Sequence, residues 1–243
     1  MKPYVIAALV AVVTLACHTV TPREHALLLL SRGQTAAAVA ELETIRDRNP
    51  HEPRAWIDLG HGYELQHRFD DALMAYDEAA RVAPKDPRGP REGGLRCAKW
   101  GEHEAARSRL EEAIRRGDDD PSTFHALGLV RLQLGDRKGA REAYEAGLHS
   151  PRGASDATCV LGLATLAVVE SDAAGALRWY DELVRRRPGV AAAHLGRAWA
   201  LASLGRFDDA ESAVRDAIVR GAADDDVSRM NKFIREAAVK RAK

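Results

Sequence analysis

Residues 53–84 read PRAWIDLGHGYELQHRFDDALMAYDEAARVAP, and the order of large and small residues in this stretch determines the architecture that we expect. Its first half has the pattern W-x2-L-G-x2-Y, and its second half places alanine, tyrosine, alanine and proline at fixed intervals. The residues that carry the pattern are Trp56, Leu59, Gly60, Tyr63, Ala72, Tyr76, Ala79 and Pro84. All of them fit one frame of about 34 residues, which is a strong repeat signature.

The same frame recurs before and after this stretch. It fits residues 19–52, 53–86, 87–120, 121–154, 157–190 and 191–224. A two-residue insertion near Pro151 to Ser155 separates the fourth frame from the fifth. The second tyrosine of the pattern recurs at Tyr144 and Tyr180, and the glycine recurs at Gly128. The chain therefore resembles the tetratricopeptide (TPR) repeat family, with about six units.

The resemblance implies an all-α fold, a right-handed superhelical solenoid of about six TPR helix-turn-helix repeats with a C-terminal capping helix. In each unit, small residues let two antiparallel helices approach closely, and large residues fill the gaps between units. No unit buries its apolar face alone, so stacking makes one continuous core. The composition agrees, since Ala, Leu, Arg and Glu are good helix formers and sustained period-two alternation is absent from the sequence.

The residues after the last frame predict the capping helix, over 225–243. Val227, Met230, Ile234 and Ala237 form one apolar stripe at helical spacing. Acidic residues precede this stripe and basic residues follow it, which suits the helix dipole. The TPR array itself is predicted over 23–224.

The first residues differ from the rest of the chain. Lys2 precedes an uncharged apolar run that is too short to span a bilayer, which is typical of a secretory signal over residues 1–16. Thr14-Leu15-Ala16-Cys17 resembles the lipobox of bacterial lipoproteins, although Leu stands one place late. By this resemblance Cys17 is lipidated, and residues 17–22 form the lipidated N-terminus and a short tether. An ordinary signal peptide with a chance cysteine is the alternative.

The location follows from the same resemblance. In enterobacteria, Asp after the lipidated cysteine tends to retain lipoproteins at the inner membrane, and this chain has His18 there. We therefore expect a lipid-anchored protein at the periplasmic face of the bacterial outer membrane. Lys plus Arg equals Asp plus Glu, at 36 each, so the chain offers no global argument for a nucleic-acid partner.

The sequence predicts no catalytic residues, no metal, no cofactor and no small-molecule substrate. It lacks a Gly-rich phosphate loop, a nucleophile elbow and a His-Glu-x-x-His motif. The acidic run at 118–120 is better explained as a helix N-terminal cap than as a metal site. Cys97 and Cys159 fall in different repeats and are interpreted as small core residues.

The resemblance also implies a partner-binding site. In TPR proteins, ligands usually lie in a concave groove lined by the first helix of each unit. Carried onto this chain, the groove residues are Arg54, His61, Arg88, Arg91, Leu95, Lys99, Leu129, Leu132, Leu161 and Trp199. This groove would be basic toward its N-terminal end and apolar toward its C-terminal end. The alternative for Trp199 is that the capping helix covers it.

The predicted function is protein–protein interaction in the bacterial envelope. The architecture is similar to the PilF/PilW/Tgl group of pilotin lipoproteins, which help outer-membrane secretins assemble for type IV pili. By that resemblance the partner is a secretin subunit. A TPR adaptor lipoprotein for another envelope complex, serving cell-wall enzymes or outer-membrane protein assembly, is the alternative. An enzyme with an unrecognised active site is a third class.

Overall fold

The computed structural model describes residues 20–153 and 156–241. These residues form thirteen helices and no strands, which confirms the all-α prediction. The helices are α1 (Pro22–Ser31), α2 (Thr35–Arg48), α3 (Pro53–Leu65), α4 (Phe69–Val82), α5 (Arg88–Trp100), α6 (His103–Arg115), α7 (Pro121–Gln133), α8 (Arg137–His149), α9 (Thr158–Val169), α10 (Ala173–Arg186), α11 (Ala191–Ser203), α12 (Phe207–Val219) and α13 (Asp224–Arg241). The predicted signal segment and the lipidated Cys17 lie outside the described residues.

The first twelve helices form six pairs, one for each repeat frame. Each pair packs against the next through the second helix of one pair and the first helix of the following pair. These contacts are α2 with α3, α4 with α5, α6 with α7, α8 with α9, and α10 with α11. Helix pairs that stack one on the next form a solenoid, and the predicted fold class is confirmed. The division of the chain into signal, tether and array stays a prediction.

Helix starts follow from local residue chemistry. Pro53 and Pro121 occupy first-turn positions, where a missing backbone N–H has no cost. The Asp120 carboxylate accepts a hydrogen bond from the Ser122 amide at 3.0 Å, so this acidic run caps α7 as predicted. Asp118 is buried and accepts a 2.6 Å hydrogen bond from the Thr123 hydroxyl. Both carboxylates therefore have structural partners.

Close helix contact within a repeat depends on glycine facing tyrosine. A Cβ atom on Gly60 would lie 2.6 Å from the Tyr76 ring, and one on Gly128 would lie 2.3 Å from the Tyr144 ring. Both tyrosines are fully buried. Because any larger side chain would overlap the ring, glycine sets the distance between the two helices.

The core runs through the repeats without a break from α5 to α13. Four buried clusters follow one another along the stack, and neighbouring clusters share side chains. Ile114 packs against both the first cluster, around Leu110, and the second, around Tyr144. Leu148 and Trp179 link the second cluster to the third, around Tyr180, and Leu177 links the third to the last, around Ile234. Cys97 and Cys159 are buried and free, in agreement with their interpretation as core residues. Stacking thus supplies the burial that no single repeat provides.

Three arginines at the same frame position tie successive repeats together. Arg116 Nη1 donates to the Ala80 carbonyl at 3.0 Å. Arg186 Nη1 donates to the Asp156 carbonyl at 2.6 Å, and Arg220 Nε donates to the Pro188 carbonyl at 2.6 Å. Each guanidinium donates hydrogen bonds to backbone carbonyl groups where the preceding repeat ends. The family's repeat pattern does not include this arginine position.

Helix α13 closes the C-terminal end of the stack against α11 and α12. Ile234 is buried there, and Val227, Met230 and Phe233 pack beside it. The helix runs from Asp224 to Arg241, with the predicted stripe facing the array. No helix within residues 20–153 and 156–241 is both long and apolar enough to cross a membrane.

Candidate protein-binding groove

The predicted groove residues lie on the odd-numbered helices, which form one layer of the stack. Helix α3 contacts α5, α5 contacts α7, and α7 contacts α9, whereas the even-numbered helices of neighbouring repeats make no comparable contacts within the described ranges. Neighbouring elements approach most closely on the inner side of a curved stack. The odd-numbered layer is therefore the inner, concave side, and we call its surface the groove.

Two of the predicted apolar residues are open to solvent. Leu129 on α7 is 40% exposed and Leu161 on α9 is 42% exposed. Leu95 and Leu132 are partly buried and pack against core clusters instead. The exposed apolar part of the groove is therefore shorter than the sequence pattern predicts.

Trp199 marks the C-terminal limit of the open surface. Its ring stacks on Phe233 of α13, with the ring centroids 6.3 Å apart, and it packs against the core. The capping helix thus covers part of the indole, which is the alternative that the sequence left open.

Ion pairs reduce the positive charge that the N-terminal part of the groove presents to solvent. Arg88 contacts Asp86 at 2.6 Å, and this guanidinium holds the pKa of the Asp86 carboxyl below its usual value. Arg91 lies 3.7 Å from Asp118 and 3.2 Å from Glu92. The carboxylates that neutralise these arginines come from loops and neighbouring positions. The predicted positive surface is therefore not supported at Arg88 and Arg91.

Arg54 and Lys99 retain an unbalanced charge. Every Asp and Glu of the chain lies among the described residues. None of these carboxylates comes within 4.0 Å of the side-chain nitrogens of Arg54 or Lys99. Both side chains are exposed.

His61 belongs to a polar network beneath the groove. It lies 3.3 Å from Glu92, which is 3.4 Å from Arg96, and Arg96 in turn lies 2.5 Å from Glu64. Burial alone would raise the pKa of Glu92, but its contacts with His61 and the nearby arginines hold that pKa below the usual value. Tyr76 donates a 3.0 Å hydrogen bond to Glu64, and burial raises the pKa of this phenol. The network therefore joins α3, α4 and α5 through ion pairs and hydrogen bonds.

Three hollows open along the odd-numbered helices. The front hollow, between α3 and α5, has a volume of about 450 Å³ and is lined by Leu65, Phe69, Lys99 and Trp100 among others. The middle hollow, between α5 and α7, measures about 390 Å³ and includes Lys99 and Leu129. The rear hollow, beside Leu161 and Val190, measures about 240 Å³.

The hollows add residues that sequence reasoning missed. Phe69, Trp100 and Val190 lie at helix ends or in turns, outside the positions that the family pattern assigns to the groove. Phe69 is 42% exposed and Val190 is 41% exposed. Exposed large apolar residues next to the inner helices are the signal that would have identified them.

The described residues show no group of three or more His, Cys, Asp or Glu side chains arranged to hold a metal ion. The residues that line the groove offer apolar contact, hydrogen bonding and charge. These are the interactions of a surface that binds another chain.

Comparison with known proteins agrees with this geometry. The family model described as tetratricopeptide repeat matches residues 23–89, 125–189 and 161–226. The chain belongs to the tetratricopeptide repeat family. Tetratricopeptide repeats are protein-interaction scaffolds, which typically have no catalytic role. The groove offers a surface on which a protein or peptide partner can bind.

Relatives and solved structures show how far this likeness extends. The CTR9 homolog of Arabidopsis thaliana is 28% identical over 119 residues, 49% of this chain and 11% of that protein, so the chain spans about a tenth of this relative. The structure of PilF from Pseudomonas aeruginosa is similar with a TM-score of 0.69 and 21% identity, covering 87% of this chain and 95% of PilF. The structure of PilW is similar with a TM-score of 0.67 and 14% identity, covering 86% of this chain and 96% of PilW. At these identities the two structures show a shared fold.

Proposed function

We propose that this tetratricopeptide repeat chain is a lipid-anchored interaction scaffold of the bacterial envelope. Its specific role in this proposal is that of a pilotin, which binds a secretin subunit at the periplasmic face of the outer membrane. The lipobox-like segment ending at Cys17 supports the anchor. Lipid chains on that cysteine would hold the array at the membrane surface, because several chains together give stable anchoring.

The pair of exposed leucines on the inner helices carries the proposal. Leu129 and Leu161 lie on α7 and α9, which contact each other directly. Four leucines of the described residues are exposed, and two of them, Leu129 and Leu161, lie on adjacent inner helices and form a surface that a partner's apolar residues would cover. A hydrophobic segment of a secretin fits this surface.

The structural neighbours support the pilus role in particular. PilW is described as a widely conserved type IV pilus biogenesis factor. PilF and PilW both match this chain over nearly their whole length and cover more than four-fifths of it. A chain of similar size and fold supports the proposal of a similar role.

The test is capture of envelope proteins by the full-length chain. The chain, solubilised in mild detergent and immobilised through a C-terminal tag, is exposed to solubilised envelope of the native bacterium, and the retained proteins are identified by mass spectrometry. We expect a secretin subunit to be enriched. Replacing both groove leucines, Leu129→Asp and Leu161→Asp, should abolish this enrichment without changing the helical circular dichroism.

A matched control separates groove binding from surface stickiness. Leu28→Asp changes a leucine of equal exposure, 40%, on α1. Capture should survive this change. Enrichment of cell-wall enzymes in place of a secretin would contradict the pilotin role and favour the adaptor alternative.

The anchor is tested separately in cells. We expect incorporation of radiolabelled palmitate into the chain and its recovery with outer-membrane vesicles. Cys17→Ser should abolish both. Unlabelled protein in the soluble periplasm would contradict the lipid anchor while leaving the interaction role open to the capture experiment.

A further inference from the structure

The front and middle hollows meet at Lys99, near the C-terminal end of α5. Lys99 lines both of them, with Leu65 and Phe69 on one side and Leu129 on the other. The two hollows therefore form one continuous surface, which crosses α3, α5 and α7 where these helices end. We call this surface the Lys99 site.

The walls of the Lys99 site are apolar and partly rigid. Phe69 packs against Trp100 with ring centroids 4.7 Å apart, so these two rings hold each other in place. Leu65 is 53% exposed and Phe69 is 42% exposed. When a partner's apolar side chain covers exposed aromatic and aliphatic side chains, apolar surface leaves water and binding is favoured. Rings that are already held in place add little entropic cost to that binding.

Lys99 supplies one unbalanced positive charge between these walls. No carboxylate lies within 4.0 Å of its ammonium group, and all 36 Asp and Glu residues are among the described ones. Glu64 lines the front hollow, but Arg96 contacts it at 2.5 Å and neutralises it. The local charge that a ligand meets is therefore that of Lys99.

We propose that the Lys99 site docks an extended segment of a partner protein that carries one Asp or Glu between two apolar residues. The apolar side chains enter the front and middle hollows, and the carboxylate pairs with the Lys99 ammonium group. This inference rests on the proposed function only in requiring a protein partner, and it specifies the chemistry of the segment that is bound.

The spacing of the helices sets the spacing of the segment. Packed helices lie about 8–10 Å apart, so hollows on either side of α5 are separated by roughly that distance. An extended segment in the polyproline II conformation has three residues per turn and advances about 3.1 Å per residue, so residues i and i+3 share one face and lie about 9 Å apart. The two apolar residues are therefore three positions apart, and an acidic side chain between them lies beside Lys99.

Synthetic peptides test the proposal with the purified full-length chain. The probe is a fluorescein-labelled peptide of sequence SLESLS, with SLKSLS and SAESAS as comparisons, and binding is followed by fluorescence anisotropy. We expect SLESLS to bind, and SLKSLS to bind about fivefold more weakly because one ion pair becomes a repulsion. Loss of both leucines in SAESAS should remove measurable binding.

Charge reversal on the protein is the decisive variant. Lys99→Glu should invert the preference, so that SLKSLS binds more tightly than SLESLS. Lys99 is exposed, so the fold tolerates the change. Lys85→Glu, in the exposed loop before α5, makes the same change of charge away from the site and should leave the preference unaltered.

The outcomes also separate this inference from the proposed function. Equal binding of SLESLS and SLKSLS, or an unchanged preference in Lys99→Glu, overturns the Lys99 site, whereas secretin capture by the same variant would leave the proposed function standing. A concentration-dependent dimer that Phe69→Ser dissociates would show a second copy of this chain in the hollows and would also overturn the proposal. Inverted preference together with failed secretin capture supports the site and rejects the pilotin role.

Discussion

The indole of Trp199 stacks on the phenyl ring of Phe233, with ring planes inclined by 20°. This contact joins the last inner helix of the repeats, α11, to the capping helix α13. An open solenoid end leaves an apolar edge in water, and terminal elements with a polar outer face are what cover it. The stacked pair therefore fixes where the array ends and how much of the groove stays open.

Phe233→Ala should destabilise the chain by about 2 kcal/mol, because it removes a partly buried ring and leaves Trp199 uncovered. The measurement is urea unfolding, with tryptophan emission recorded in the native state. We expect a red-shifted native emission, since water reaches the indole. Lys232→Ala, at an exposed position on the same helix, is the control and should leave both quantities unchanged. Unaltered emission in Phe233→Ala would show that α13 does not cover Trp199.

The cap illustrates what a sequence pattern predicts well. The stripe that includes Val227, Met230 and Ile234 shares one helix face, and its helical spacing was sufficient to assign a helix that packs on the array. Whether that helix also covers Trp199 depends on how two elements meet in space. Spacing within α13 carries no information on that point, so the sequence is compatible with either a covered or an exposed Trp199.

Gly128→Ala should destabilise the chain by about 2 kcal/mol, because the added Cβ would lie 2.3 Å from the buried Tyr144 ring and force the two helices apart. The measurement is the free energy of unfolding in urea. Gly189→Ala is the matched control, since a Cβ at that position meets no atom within 4 Å. Equal losses in the two variants would rule out the close glycine–tyrosine contact as the cause.

The groove was only partly predictable for a related reason. The family pattern placed Leu129 and Leu161 on the inner helices, and both are exposed there. The same pattern gave Arg88 and Arg91 as a basic surface, yet carboxylates of Asp86 and Asp118 lie beside them. Asp86 is a sequence neighbour of Arg88 that the family pattern for groove positions does not consider. Asp118 reaches Arg91 from the next loop between repeats, and that contact depends on inter-repeat geometry that frame position does not report.

Arg186→Met should destabilise the chain by about 2 kcal/mol, because the Gly153 and Asp156 carbonyls lose a charged donor in a partly buried setting. Methionine keeps most of the apolar stem, so the loss reports the hydrogen bonds. The neighbouring Arg185 contacts Glu182 but no loop carbonyl, and it is 71% exposed. Arg185→Met should therefore unfold at nearly the wild-type urea concentration. If the two variants lost equal stability, the carbonyl contacts would not be the source.

Glu182 makes the stability of the α10 end depend on pH. Hydrogen bonds from Arg185 and then Arg186 lower the pKa of Glu182 to about 2. An unfolded glutamate titrates near about 4.3. Because the folded pKa is the lower one, the contribution of Glu182 to stability is complete above about pH 4.5 and is lost as pH falls from there toward 2.

The corresponding experiment compares wild type with Glu182→Gln at pH 7, 4.5 and 3, using the free energy of unfolding in urea. The difference between the two proteins should be largest at pH 7 and should shrink at pH 3, because protonation removes from the wild type the charge that the substitution removes permanently. Glu211→Gln alters an exposed carboxylate on α12 and is the control, which should change the free energy of unfolding only slightly. A gap between wild type and Glu182→Gln that stays constant from pH 7 to pH 3 would mean that glutamine disturbs packing at the end of α10, and the ion pairs with Arg185 and Arg186 would then contribute nothing measurable.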